Sequence, residues 1–385
     1  MVKEKYARSI YISSYLSKMI GLSKSSEVSD ILQKALAGET LDYSDGLTLM
    51  ESDDIHGIAY VANGIRKKLV GDTASFVVGY NMNYSNVCAA SCQICAFYRR
   101  KGDEGEYTYT VEECLKQVAE GVSLGATEIH IVGGLNPYLP IDYYEDLFSS
   151  IRREYPQVTV KALTMAELFF LAKINRSSVG EMAQRFREAG LKTMTGGGAE
   201  ILHPDVRPLI ARGKLTGEEW LRTAEDAHNN GITSNSTMLY GHLEKAKHRI
   251  DHIIKIRELQ AKTHGFLSFI PLKFSLPNTE LLRSGGVGDP SSAQDDIKVI
   301  AVSRLLFGDL LKNIAVYWVS MGKRVAQVAL NSGGNDLIGT SFSEKIYKEA
   351  GRDETISIEE LTHLIREAGR VPVQRDTFYN PIRYM

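Results

Sequence analysis

Three cysteines stand close together in Cys88-Ala-Ala-Ser-Cys92-Gln-Ile-Cys95, a concentration of metal-binding groups found nowhere else in the chain. The C-x-x-x-C-x-x-C spacing can bring three thiolates to one inorganic centre. A cubane iron–sulfur cluster has four irons and is most often held by four cysteines, so three ligands leave one iron open to something else. Structural zinc usually draws on two separated ligand pairs, and no second pair follows here. The remaining cysteine, Cys114, falls inside a helical run and reads as a small core residue. The expected centre is therefore a 4Fe-4S cluster on Cys88, Cys92 and Cys95.

Such a loop needs a rigid mount. After Gly71 the chain alternates strand-like runs with helices, the pattern of a parallel α/β sheet or barrel. The strand candidates are Ser75 to Tyr84, Glu128 to Val132, Val158 to Leu163, Leu191 to Met194, Ile232 to Leu239, Phe266 to Phe274, Ile314 to Ser320 and Asp336 to Phe342. Eight is the number a closed barrel requires, and active sites of such barrels lie at the strands' C-terminal ends, where the cysteine loop follows the first strand. Helix starts are readable at Thr110-Val-Glu-Glu113 and Asp142-Tyr-Tyr-Glu145, both fitting a capping box, and at Ser292. Helical spacing from Tyr6 to about Lys68 predicts a prelude of short helices, and Ile358 to Gly369 a last helix before an irregular end, Val371 to Met385. The expected division is a helical extension over 1–70, the barrel over 71–345, and a C-terminal helix and tail over 346–385, packed on the barrel.

Other strand ends bring further groups to the same rim. Gly133-Gly134 would let a ligand approach the backbone closely and present carbonyls to an ammonium group. Gly196-Gly197-Gly198-Ala-Glu200 brings a carboxylate, and the fifth strand's end brings Tyr240 and His242. Glu167, past the third strand, and Lys273, on the sixth, are candidates for the same rim; a solvated role competes for each. Arg99 and Arg100, after the cysteine loop, are equally compatible with solvent.

The 385 residues are 43% hydrophobic and 24% charged, enough to bury a large core. A formal net charge of -2 gives no footprint for nucleic acid or a membrane surface. The apolar runs stop well short of the roughly 20 residues a bilayer span requires, so no membrane insertion is expected. The N-terminus lacks a signal-peptide core, and the few cysteines argue against a disulfide framework. A reducing cytoplasmic setting and small-molecule partners follow as expectations.

Taken together, these motifs resemble the radical S-adenosylmethionine (SAM) superfamily. The cysteine loop, with Ile94 before its last cysteine, is similar to that superfamily's signature, and Gly133-Gly134 to its methionine-binding segment. Within it, the chain from about Gly38 onward resembles the group of aminofutalosine synthase, dehypoxanthine futalosine cyclase and the deazaflavin-forming synthases. The stretches Glu128-Ile-His-Ile-Val-Gly-Gly-Leu-Asn-Pro137, Gly196-Gly-Gly-Ala-Glu-Ile201, Ser234-Asn-Ser-Thr-Met-Leu-Tyr-Gly-His242 and Phe269-Ile-Pro-Leu-Lys-Phe274 are most similar to the synthase. The cyclase pattern would place glutamine before Gly133 and tryptophan at Leu272. Asn136 stands where the pattern has histidine, Thr195 where it has proline, and Ser236 where it has alanine.

The resemblance implies a (β/α)8 TIM-type barrel of class α/β with an N-terminal helical extension, a 4Fe-4S cluster, and SAM consumed as co-substrate. It implies that one electron cleaves SAM to methionine and a 5'-deoxyadenosyl radical, which adds to 3-[(1-carboxyvinyl)oxy]benzoate and yields 6-amino-6-deoxyfutalosine and bicarbonate, a step of menaquinone biosynthesis. Implied site residues are Ile94, Phe97, Gly133, Gly134 and Tyr240 for SAM, Asn136 and Lys273 for an aryl enol ether dicarboxylate, and His242, Glu200 and Glu167 in catalysis. An external one-electron donor of flavodoxin or ferredoxin type is implied as partner. The cyclase and deazaflavin chemistries are the enzymatic alternatives; a zinc or iron–sulfur protein without radical chemistry is the non-enzymatic one.

Overall fold

The computed structural model describes residues 28–275, 277–287 and 291–385. The part of the expected helical prelude before residue 28 lies outside them. Its remainder forms helices Ser29–Ala37, Tyr43–Glu51 and Ile55–Val70.

The strands are β1 (Thr73–Val77), β2 (Gly79–Met82), β3 (Glu128–Ile131), β4 (Thr159–Ala162), β5 (Thr193–Met194), β6 (Thr233–Tyr240), β7 (Phe266–Lys273), β8 (Asp336–Gly339), β9 (Val371–Arg375) and β10 (Pro381–Tyr384). β2 to β7 form one parallel sheet in chain order, with helices between successive strands as parallel crossovers require. Two seams join its edges through β8. On one side Phe269 pairs with Ile314 and Ala315 with Asp336; on the other Tyr80 pairs with Phe342, where Asn81 N–H donates to the Phe342 carbonyl at 2.8 Å. The result is a TIM-type α/β fold, as the eight-strand pattern predicts.

Three local expectations are corrected. The seventh run, Ile314 to Ser320, is strand-like only at Ile314 and Ala315. It then turns into the short helix Trp318–Met321, because the buried Trp318 ring must reach the Gly339 carbonyl, to which its indole N–H donates at 2.8 Å. The helix expected to start at Asp142 instead has Pro140 at its N-cap and no side-chain cap, whereas Thr110 and Ser292 cap as predicted. The tail after Gly369 is not irregular. β9 runs parallel to β1 from Thr73↔Val371 to Phe76↔Gln374, and β10 returns antiparallel to it.

What fixes the tail is a buried ion pair. Arg375 Nε and Nη2 donate to the two carboxylate oxygens of Asp336 at 2.6 and 2.9 Å, and both residues are buried. Asp336 also accepts from the Ser75 hydroxyl at 2.6 Å, so β1, β8 and β9 meet on one carboxylate. Removing one member of such a pair leaves an uncompensated buried charge. Arg375→Met should destabilise the protein by roughly 3–5 kcal/mol in denaturant unfolding. Adding Asp336→Asn should recover part of that loss, and equal stability of R375M and wild type would contradict this role for the tail.

Candidate active site

Local backbone pairing builds the cysteine loop before any side chain is considered. Val87 bridges Arg99 and Ser85 bridges Thr108, while the Asn86 side chain spans the neck, donating to the Gly105 carbonyl at 2.9 Å and accepting from Tyr107 N–H at 2.8 Å. Neither arginine after the loop is merely solvated. Arg99 Nη1 donates to the Ala96 and Tyr98 carbonyls at 3.0 Å, and Arg100 Nη1 to the Cys88 carbonyl at 2.7 Å.

The loop rests against the end of β3. Ala89 N–H donates to the Leu135 carbonyl at 2.8 Å, and Leu135 N–H points at the Cys88 sulfur at 3.3 Å. A Cβ on Gly134 would lie 2.2 Å from the Val87 carbonyl oxygen, and one on Gly133 2.6 Å from the Tyr84 ring. Gly134 is thus demanded by the backbone entering the cysteine loop, and Gly133 by the Tyr84 ring and the Ser85 carbonyl.

Cys88, Cys92 and Cys95 line one cavity of about 340 Å³ that also touches Ile94, Phe97, Gly133, Gly134 and Glu200. Single-ion tetrahedral zinc would draw its thiolates to about 3.8 Å from one another. Among the described residues, the group of three His, Cys, Asp or Glu ligand atoms lying within 4.8 Å of each other is His203, Asp205 and His248, not the cysteines. The wider cysteine set suits a multi-iron cluster. Burial pushes the Cys92 thiol up to about 11 and raises Cys95 as well, so both need a bound cation to ionise. Cys114 is buried in the helix Val111–Ser123, near the Tyr143 hydroxyl at 3.5 Å, and does not line the cavity. The three thiols therefore fit a 4Fe-4S cluster with one iron left for SAM.

The other sequence candidates divide. Glu200 faces the cavity from a left-handed backbone position, φ 48°, and pairs with Lys214 at 2.9 Å. Burial, the largest single influence, would raise its carboxyl, but Lys214 together with Arg207 and His242 holds it below its ordinary range. Glu167 lies behind the site. It accepts from Gly133 N–H at 3.0 Å, Tyr84 hydroxyl at 2.8 Å and Thr164 N–H at 2.7 Å, so it anchors the glycine pair while capping the helix Met165–Ile174.

The remaining four do not line the cavity. His242 is buried with Nε2 at 3.0 Å from the Leu239 carbonyl and Nδ1 at 3.1 Å from Glu244. The Tyr240 hydroxyl donates to Asp296 at 2.9 Å, and Lys273 reaches the same carboxylate at 2.8 Å. The Asn136 amide donates to Ser85 at 3.0 Å and Thr108 at 3.2 Å, bracing the loop neck.

Sequence reasoning passed over Asn83, His130, Lys161, Lys214, Glu344 and Arg375, all of which line the cavity. A lysine in the middle of the strand-like run Val158–Leu163, whose other residues are apolar except Thr159, was the available signal for Lys161. Lys214 and Glu344, on connecting segments, carried none. Burial pushes His130 down to about 4, so it is neutral at pH 7, and raises Glu344 to about 7.

Fold and thiol site together define a radical SAM enzyme. Residues 82–256 match the radical SAM superfamily model and residues 263–384 the CofH/MqnC C-terminal region, and the chain belongs to this family. Aminodeoxyfutalosine synthase of Thermus thermophilus is 39% identical over 355 residues, 92% of this chain and 95% of its own. The 5-amino-6-(D-ribitylamino)uracil–L-tyrosine 4-hydroxyphenyl transferase of Methanothermobacter thermautotrophicus is 38% identical over 356 residues, 91% of this chain and 97% of its own. The fold is shared with the FeFe-hydrogenase maturase HydG from Carboxydothermus hydrogenoformans, with TM-score 0.68 at 17% identity over 98% of this chain and 86% of that one.

Because a side chain on Gly134 would strike the loop backbone, overpacking there should be felt at the thiols. Gly134→Ala should bind less than about half of the wild-type iron after anaerobic reconstitution, while keeping its far-UV circular dichroism. Full iron loading of G134A would show that the loop does not depend on this contact.

Proposed function

We propose that this protein is an aminofutalosine synthase, adding the 5'-deoxyadenosyl group of SAM to 3-[(1-carboxyvinyl)oxy]benzoate to give 6-amino-6-deoxyfutalosine, methionine and bicarbonate in menaquinone biosynthesis. The observation that carries this reading is full-length likeness to two bacterial synthases. These are the Thermus protein and that of Streptomyces coelicolor, 38% identical over 366 residues. When bound, the cluster supplies an open iron and the single electron for reductive cleavage of SAM. Cys88, Cys92 and Cys95 hold it. Ile94, Phe97, Gly133, Gly134 and Glu200 border SAM at the rim, and Glu167 positions the Gly133 N–H.

His242, Tyr240, Asn136 and Lys273 act as supports: each spends its polar atoms on protein partners and keeps the rim segments in place. The apolar wall of Ile270, Leu272 and Phe274 excludes water from a reactive radical. The electron comes from a flavodoxin- or ferredoxin-type donor in a reducing cytoplasm.

A second reading is carried by the archaeal transferases at 38% and 37% identity, whose names give tyrosine as the substrate. Anaerobic incubation of reconstituted protein with dithionite, SAM and the enol ether separates the two. The synthase reading expects methionine, bicarbonate and one adenine-containing adduct of the aryl substrate. No adduct, together with 5'-deoxyadenosine release only when tyrosine and 5-amino-6-(D-ribitylamino)uracil are supplied, would overturn it.

A further inference from the structure

The interior of this barrel departs from the usual plan. A TIM-type lumen is normally filled by layers of branched apolar side chains. Here Asn81, His130 and Lys161 are in register on neighbouring strands β2, β3 and β4, and all three line the cavity. One layer below, Gly79 is in register with Glu128, which also lines it. The cavity at the cysteines thus continues down into a polar lumen. Gly133 lies three positions after His130, which at about 3.3 Å per residue puts this layer roughly 10 Å below the rim. That depth places the polar layer well below the thiols, within the same cavity.

Lys161 is the unusual member of the layer. It is only 5% exposed; burial lowers its pKa, with Glu128 opposing that shift, and among the described residues its ammonium contacts Glu128, both oxygens at 3.4 Å. A buried ammonium ordinarily has short contacts to several acceptors, since burying a charge is costly otherwise. The charged and titratable groups that act on Lys161 are Glu128, Arg375, Asp336 and His130. Arg375 is committed to Asp336, and His130 lies 4.0 Å from Glu128. Burial lowers His130 so that it is uncharged at neutral pH and offers one donor and one acceptor. Lys161 therefore keeps a donor without a close partner and faces open space.

We propose that Lys161, with neutral His130 beside it, is the seat that receives a carboxylate of the substrate inside the barrel. This rests on the enol ether dicarboxylate reading given above. An ammonium on one strand and an imidazole on the next present convergent donors to a carboxylate, and burial of the site in the protein interior strengthens the contact. Anchoring one end of the substrate at this depth turns its other end, with the vinyl carbon, up toward SAM and the cysteines. Lys161 is thus a specificity-determining residue, and Glu128 holds it in place when substrate is absent.

The test compares reconstituted wild type, K161M, K161R and E128Q/K161M, the last removing the unpaired buried carboxylate that K161M alone would leave. Two analogues of the enol ether are used, each with one carboxylate replaced by hydrogen. KM for the full substrate should rise ~100-fold in both Met variants and be partly restored by K161R. Iron content and SAM cleavage without substrate should stay unchanged. For wild type, one of the two analogues should lose as much as K161M does, and for K161M deleting that same carboxylate should cost nothing further. Unchanged KM in E128Q/K161M, with wild type active on the enol ether, would overturn the Lys161 assignment and leave the synthase reading standing. Wild type inactive on the enol ether would overturn both.

Discussion

A backbone crossing governs the site: the cysteine loop passes so close to the end of β3 that Gly134 has no space for a single carbon beyond its own Cα. The Val87 carbonyl, the Cys88 sulfur and the Leu135 N–H all meet at that crossing. Short strands make it possible, because β3 ends at Ile131 and its glycines turn directly beneath the loop. Glu167 then ties Gly133 to the next helix, so the start of the helix Met165–Ile174 and the end of β3 are joined beneath the cysteine loop. Precise placement of a cluster follows from backbone contacts on rigid elements rather than from a flexible loop.

Below this crossing the barrel gives up the packing that normally stabilises such a lumen. Polar and charged side chains stand there among the apolar ones, and the fold is closed beside them by the C-terminal tail. The C-terminal β9 extends the short sheet beside β1, and Arg375 inserts its guanidinium into the lumen's lower end against Asp336. The tail is thereby part of the chamber, since Arg375 lines the same cavity as the cysteines.

Much of this was legible in the sequence because it rests on local spacing. The cysteines lie within one loop, so their convergence needed no tertiary information, and the alternation of strands and helices marked the barrel. The helix start at Thr110 was readable for the same reason, its cap and its partner Glu113 being three residues apart. What was hidden depends on long-range pairing or on strand facing. β9 forms only because β1 lies nearly 300 residues earlier in the chain, at Thr73. Lys161 could not be assigned to the lumen until the register with His130 was known. His242 and Tyr240 were correctly placed near a strand's end, yet their polar atoms turn to Leu239, Glu244 and Asp296 instead of the cavity, a choice of rotamer that spacing does not encode. The glycine pair reads in the sequence as permissive toward a ligand, whereas in the fold Gly134 is fixed by the Val87 carbonyl and Gly133 by the Tyr84 ring, contacts that only the tertiary structure shows.

Cys88, Cys92 and Cys95, without Cys114, are positioned to hold the cluster and leave one iron for SAM. Electron paramagnetic resonance of the dithionite-reduced, anaerobically reconstituted protein, with and without SAM, tests it most directly. A reduced 4Fe-4S signal whose g values shift on adding SAM is the predicted result. A signal indifferent to SAM, or one that requires Cys114 to appear, would contradict it.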